Sequence, residues 1–144
     1  MYLSSHFSLE EFVTSGYAVR NGIDNTPNDE QIDNLRFLCS TLEEIRLLLD
    51  KPMIILSGYR CPKLNSAIGG AKNSQHTLGL AADFICPQFG TPYDVADEIM
   101  RANIRVDQLI YEGSWVHVSI SDAPRMEYLT ARFNPLRYEK GIRK

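Results

Sequence analysis

Two of the chain's three histidines, His76 and His117, lie in its most patterned stretches, and Asp83 follows the first of them across a run of glycine, leucine and alanine. Two neutral imidazoles and a carboxylate form a three-ligand set suited to Zn²⁺, whose catalytic sites keep a fourth position open. His6, the third histidine, sits in no comparable pattern. Spacing alone leaves two readings open, a metal site or separate polar residues hydrogen-bonded at the surface. A zinc-activated hydrolysis also needs a base for the water's proton. Glu112 is the carboxylate nearest to His117 on its N-terminal side. It reads equally as such a base or as a solvated glutamate at a turn.

For these side chains to meet, a loop carrying His76 must turn at Gly79 and enter a strand, "LAADFI", that returns Asp83 beside the imidazole. Gly79, Ala81 and Ala82 are small enough for close backbone approach. "QLIYE" and "WVHVSI" are β-rich runs separated by Gly113 and Ser114, which predicts a hairpin. Alternation in the second run places Val116, Val118 and Ile120 on one face and Trp115, His117 and Ser119 on the other. His117 is therefore expected on a polar face, adjacent to the strand of Asp83.

The remaining elements read as support. S-x-x-E at Ser8–Glu11 is a capping box for a short helix that packs Leu9, Phe12 and Val13 inward and ends at Gly16. Ile32, Leu35, Leu38, Leu42, Ile45, Leu48 and Leu49 recur at helical spacing, predicting a long amphipathic helix to about Asp50. Met53–Leu56 reads as a buried strand, 64–68 as a turn or two of helix, and Thr91-Pro92 as the start of a helix to about Asn103. "EYLTARF" is expected to add a last strand, and the basic "RYEKGIRK" to be a loosely held end.

Composition bounds the function. The 144 residues are enough for one domain, and 44% hydrophobic with 23% charged residues is a globular balance. A net charge of -3 argues against binding nucleic acid through its phosphates. No run approaches a membrane span, and "MYLSSHFSLEEF" is not a signal peptide, so synthesis in the cytoplasm and a monomer are expected. Cys39, Cys61 and Cys86, odd in number and lacking a C-x-x-C pair, are read as reduced thiols.

"SGYRCPKLNSAIGGAKNSQHTLGLAADF", followed by "DQLIYEGSWVHVSI", resembles the M15 family of zinc peptidases, the D-alanyl-D-alanine carboxypeptidases and peptidoglycan endopeptidases of bacteria and phage lysins. Ser74, His76, Gly79, Ala81 and Asp83 meet the family's S-x-H-x-x-G-x-A-x-D, and Trp115 with His117 meets W-x-H; the likeness runs from about Phe7 to Ile120. It implies an α+β domain over residues 1–144, with a small, mainly antiparallel sheet and flanking helices, like hedgehog domains and D-Ala-D-Ala peptidases. It further implies zinc on His76, Asp83 and His117, with Arg60 gripping a substrate carboxylate or carbonyl. Ser74, Gln75 and Trp115 would line the substrate pocket.

One position departs from that pattern. Many relatives carry the catalytic acid three residues before the last histidine, where this chain has Ser114. Glu112, five residues before it, is closer to the arrangement in hedgehog-type domains, and takes the acid–base role here. The expected activity is hydrolysis of an amide in peptidoglycan stem or cross-bridge peptides. A non-catalytic zinc-containing recognition module of the same fold and a phage virion component are the alternatives. Without a leader or a wall-binding module, the expectation is a lysin that reaches the wall after release, or a hydrolase exported by another route. Whether it trims a terminal residue or cuts internally depends on where the cleft closes, which is a tertiary property.

Overall fold

In the computed structural model, which describes residues 1–144, each helix predicted from a cap begins at it. Glu11 accepts the Ser8 N–H at 2.7 Å and opens α1, Leu9–Val13. A second, short helix, α2 (Gly16–Arg20), starts where the first was expected to end, because Ser15 caps it by accepting from Ala18 N. Asn28 and Gln31 cap each other at 2.8 Å and open α3, Asp29–Leu49. Thr91 and Pro92 begin α5, Pro92–Arg101, as their types require, after a short α4 at Pro62–Ala67.

The strands are β1 (Ile54–Ser57), β2 (Ala81–Ile85), β3 (Gln108–Tyr111), β4 (Val116–Ser119), β5 (Glu127–Arg132) and β6 (Arg137–Lys140). They form one mixed sheet in the order β1-β2-β4-β3-β5-β6, antiparallel except for the β3/β5 pair. The fold is therefore α+β, mostly antiparallel, with flanking helices.

One face of the sheet is apolar. Ala82, Phe84, Leu109, Val116 and Val118 are fully buried there and share a core cluster with Leu35, Leu38, Leu42 and Ile45 of α3 and Val95, Ala96 and Ile99 of α5. Burying each larger aliphatic side chain is worth roughly 1.5–3 kcal/mol, so this face anchors the sheet. The other face carries the chemistry, because register aligns Asp83 with His117 and His117 with Ile110. No helix is long and apolar enough to cross a membrane. Cys39, Cys61 and Cys86 are unpaired thiols.

Two expectations are corrected. The run after Met53 is not a buried strand: β1 is an edge strand whose Ile54 and Leu56 are 47% and 49% exposed. Apolar content cannot distinguish edge from centre, which depends on the neighbours a strand acquires. The C-terminal segment is not loose either. Gly141 N donates to Tyr128 O, Thr130 Oγ1 bridges Gly141 and Arg143, and Ile142 enters the core. The basic residues of "RYEK" obscure a strand whose order comes from backbone pairing with β5.

Candidate metal centre

His76 is placed by a 3-10 turn, Gln75–Leu78, capped by Ser74, whose hydroxyl oxygen accepts from His76 N at 3.2 Å. The turn ends at Gly79, whose φ of +77° is left-handed. A Cβ there would also lie 2.7 Å from the Gln31 carbonyl oxygen of α3, so the motif's glycine is required twice over. The next strand residues then bring Asp83 under the imidazole.

His76 is 2% exposed, and its Nδ1 lies 2.7 Å from the Gly58 carbonyl oxygen. A carbonyl can only accept, so Nδ1 carries the proton and Nε2 is left with a bare lone pair. That lone pair faces Asp83 Oδ2 at 3.4 Å. Two acceptors opposed in this way need a cation between them. A proton is a poor choice, because burial pushes the His76 imidazole below its ordinary titration range, against the pull of Asp83.

Asp83 Oδ1 lies 2.9 Å from His117 Nδ1, and the two imidazole rings stand edge to face with centroids 5.2 Å apart. Burial alone would raise the Asp83 carboxyl, but the hydrogen bond from His117 first, with both imidazoles close by, outweighs it and holds the group well below the usual carboxylate range. It is therefore an anion at neutral pH. One nitrogen from each histidine and one carboxylate oxygen lie within 4.8 Å of one another and can hold a metal ion. The donor types suit zinc.

The three groups open on a cavity of about 470 Å³, lined also by Arg60, Ser74, Gln75, Glu112 and Trp115. Glu112 leaves the end of β3 in a turn through Gly113, and its Oε2 accepts the Trp115 indole N–H at 2.7 Å. Burial raises the Glu112 carboxyl above its ordinary range. Ser114, at the position where many relatives hold their acid, is exposed and outside the cavity lining. Arg60 is desolvated, which lowers its pKa against the pull of Asp83 and Glu112, and its buried Nε has no hydrogen-bond partner.

Gln75 lines the cavity, but its amide is committed to Asp107 Oδ2 at 2.9 Å. Arg125 grips the same carboxylate through Nε at 3.0 Å and a terminal nitrogen at 2.7 Å. Asp107 is thus a structural tie between the His76 turn, β3 and the loop before β5. These bonds, from Arg125 above all, hold its carboxyl down to about 2. A depressed carboxyl stabilises the fold above its unfolded pKa of about 3.9, and that contribution is lost as pH falls through the folded value. Because Arg125 is half exposed, Asp107→Asn is expected to cost about 1–2 kcal/mol at pH 7. Urea unfolding at several pH values checks this, the gap between the two proteins closing below about pH 2.

The cavity also includes Gln108, Ile110, Arg125 and Tyr138, which no sequence motif marks. Gln108 and Ile110 could have been found from their alternation with Glu112 along one strand face. Arg125 and Tyr138 follow only from the sheet order.

The peptidase M15 family model matches residues 5–119, a span that holds Arg60, His76, Asp83, Glu112 and His117 and leaves Arg125 and Tyr138 outside. No curated protein matches the chain. With most of its length covered and the His-Asp-His group assembled as a possible metal site, the chain belongs to the peptidase M15 family, which implies a metallopeptidase.

Proposed function

We propose that this protein is a zinc peptidase that hydrolyses an amide bond in peptidoglycan stem or cross-bridge peptides. The observation that carries the reading is the pairing of a closed His-Asp-His donor set with a desolvated carboxylate, Glu112, in the same cavity. Zinc, when held by His76, Asp83 and His117, would supply Lewis acidity toward the scissile carbonyl and toward water.

The chain's own residues do the rest. Trp115 occupies Glu112 Oε2, which orients the carboxylate and leaves Oε1 to take a proton from the attacking water. As the water oxygen bonds to the carbonyl carbon and the C–N bond breaks, the same proton passes to the leaving nitrogen. A carboxyl raised by burial suits both halves of that exchange. Arg60, which lines the cavity, offers a substrate carboxylate or carbonyl a planar fork of donors.

The test is to incubate zinc-loaded protein with defined muropeptides and identify the products by mass spectrometry. New peptide termini support the reading, whereas zinc binding without cleavage favours a recognition module. In the same assay Arg60→Lys keeps the charge and loses the fork. Its kcat/KM is expected to fall roughly 10–100-fold with zinc retained, the range for a charge-assisted hydrogen bond. Full activity in that variant would remove Arg60 from substrate binding.

A further inference from the structure

The cavity does not end at the donor set. Its lining runs from Arg60, just after edge strand β1, to Tyr138 of β6, the edge strand on the opposite side. Ile110 pairs with both His117 and Leu129, and Tyr138 pairs with Ala131, two residues beyond Leu129. Direct partners and residues two apart share a face, so Tyr138 stands on the same face as His117.

The tip of the β5–β6 hairpin also leans back toward the site, because the Phe133 ring lies against Trp115 with centroids 6.5 Å apart. Phe133 and Tyr138 are 48% and 52% exposed, an aromatic shelf that the chain itself leaves uncovered. Tyr138 and Glu112 line the same cavity, and the Tyr138 phenol is raised above its ordinary range by partial burial first and by the charge of Glu112 second. Phe133 and Tyr138 both fall outside the stretch that the family model matches.

We propose that the β5–β6 hairpin is a wall of the substrate cleft, on which Tyr138 and the Trp115–Phe133 pair hold several residues of the substrate peptide on one side of the scissile bond. The inference rests on the peptidase reading given above. The occupant is that peptide because Tyr138 and Trp115 line one cavity with the reaction centre, and Phe133 lies against Trp115. From β4 to β6 is three strand intervals, about 14 Å, which is the length of about four extended residues. The enzyme should therefore prefer a stem peptide to a dipeptide.

The experiment compares a stem pentapeptide with peptides shortened from either end, down to the dipeptide that keeps the scissile bond. Shortening on one side should lower kcat/KM at least tenfold, mainly through KM. Tyr138→Ala and Phe133→Ala should each lower kcat/KM for the pentapeptide roughly tenfold, the scale of a lost aromatic contact, and narrow the preference for length. Zinc content should match the parent's, and Tyr138→Phe, which keeps the ring, should recover most of the loss. Variants that keep the parent's preference would overturn the proposal.

Binding provides a readout independent of turnover, since Trp115 is the chain's single tryptophan and its fluorescence reports on the shelf. Titrating metal-free protein with the pentapeptide should show about tenfold weaker binding in Tyr138→Ala. If the parent cleaves nothing, the peptidase reading fails and this titration alone judges the hairpin. Equal affinity in parent and variant, or no binding to either, sinks the hairpin proposal.

Discussion

Glu112→Gln is expected to lower kcat by roughly 10²–10⁴-fold, the range for lost general acid–base catalysis, while zinc content and Tm stay at parental values. Glutamine keeps the shape of the side chain and can still accept the Trp115 indole N–H that holds it in place. What it loses is the ability to take a proton from water and return it to the leaving nitrogen. Among the residues lining the cavity, Glu112 and Asp83 are the only carboxylates, and Asp83 is engaged by both histidines. Asp107 is tied to Arg125 and Gln75, and Asp122 is exposed outside the cavity, so neither can replace Glu112. Ser114→Ala should change little, since its side chain is exposed and away from the site. Steady-state kinetics on a defined muropeptide decides the matter, and a Glu112→Gln enzyme working at the parent's rate would refute the assignment.

The second large effect is expected at the donor set. His76→Ala, Asp83→Ala and His117→Ala should each weaken zinc binding by more than the roughly 10–100-fold known for loss of an outer partner, because each removes a ligand itself. Asp83 should be the most damaging, since its two oxygens face both imidazoles and its loss leaves two nitrogens without the anion between them. The parent should carry about one zinc per chain, measured by elemental analysis, and all three variants should carry far less. Zinc bound only to the folded state adds about 4 kcal/mol at a thousand times Kd, so a chelator should lower the parent's Tm and leave the variants' unchanged. Undiminished zinc in all three variants would remove the site as drawn.

The candidate His-Asp-His donor set is legible in the sequence because the pattern that marks it is local. A capped turn, a left-handed glycine and two-residue alternation set where His76 and Asp83 point within ten residues of chain, and the same alternation sets His117. The starts of α1 and α5 are legible for a similar reason, since a cap satisfies N–H groups of its own first turn. The second short helix is hard to see in the sequence because Gly16 suits a helix stop, whereas Ser15 before it supplies a cap.

Other features depended on which strands become neighbours. Edge status of β1, the pairing that orders β6, and the arrival of Tyr138 and Arg125 at the cavity all follow from the order β1-β2-β4-β3-β5-β6. So does the bond from Gln75 to Asp107, which joins residues 32 apart and commits the Gln75 amide within the cavity lining. Sequence by itself determined the chemistry available, two imidazoles and a few carboxylates at readable positions. Tertiary structure alone decided which carboxylate is desolvated beside the His-Asp-His donor set and which is neutralised by an arginine, because burial and charge pairing depend on distances between segments that are remote along the chain.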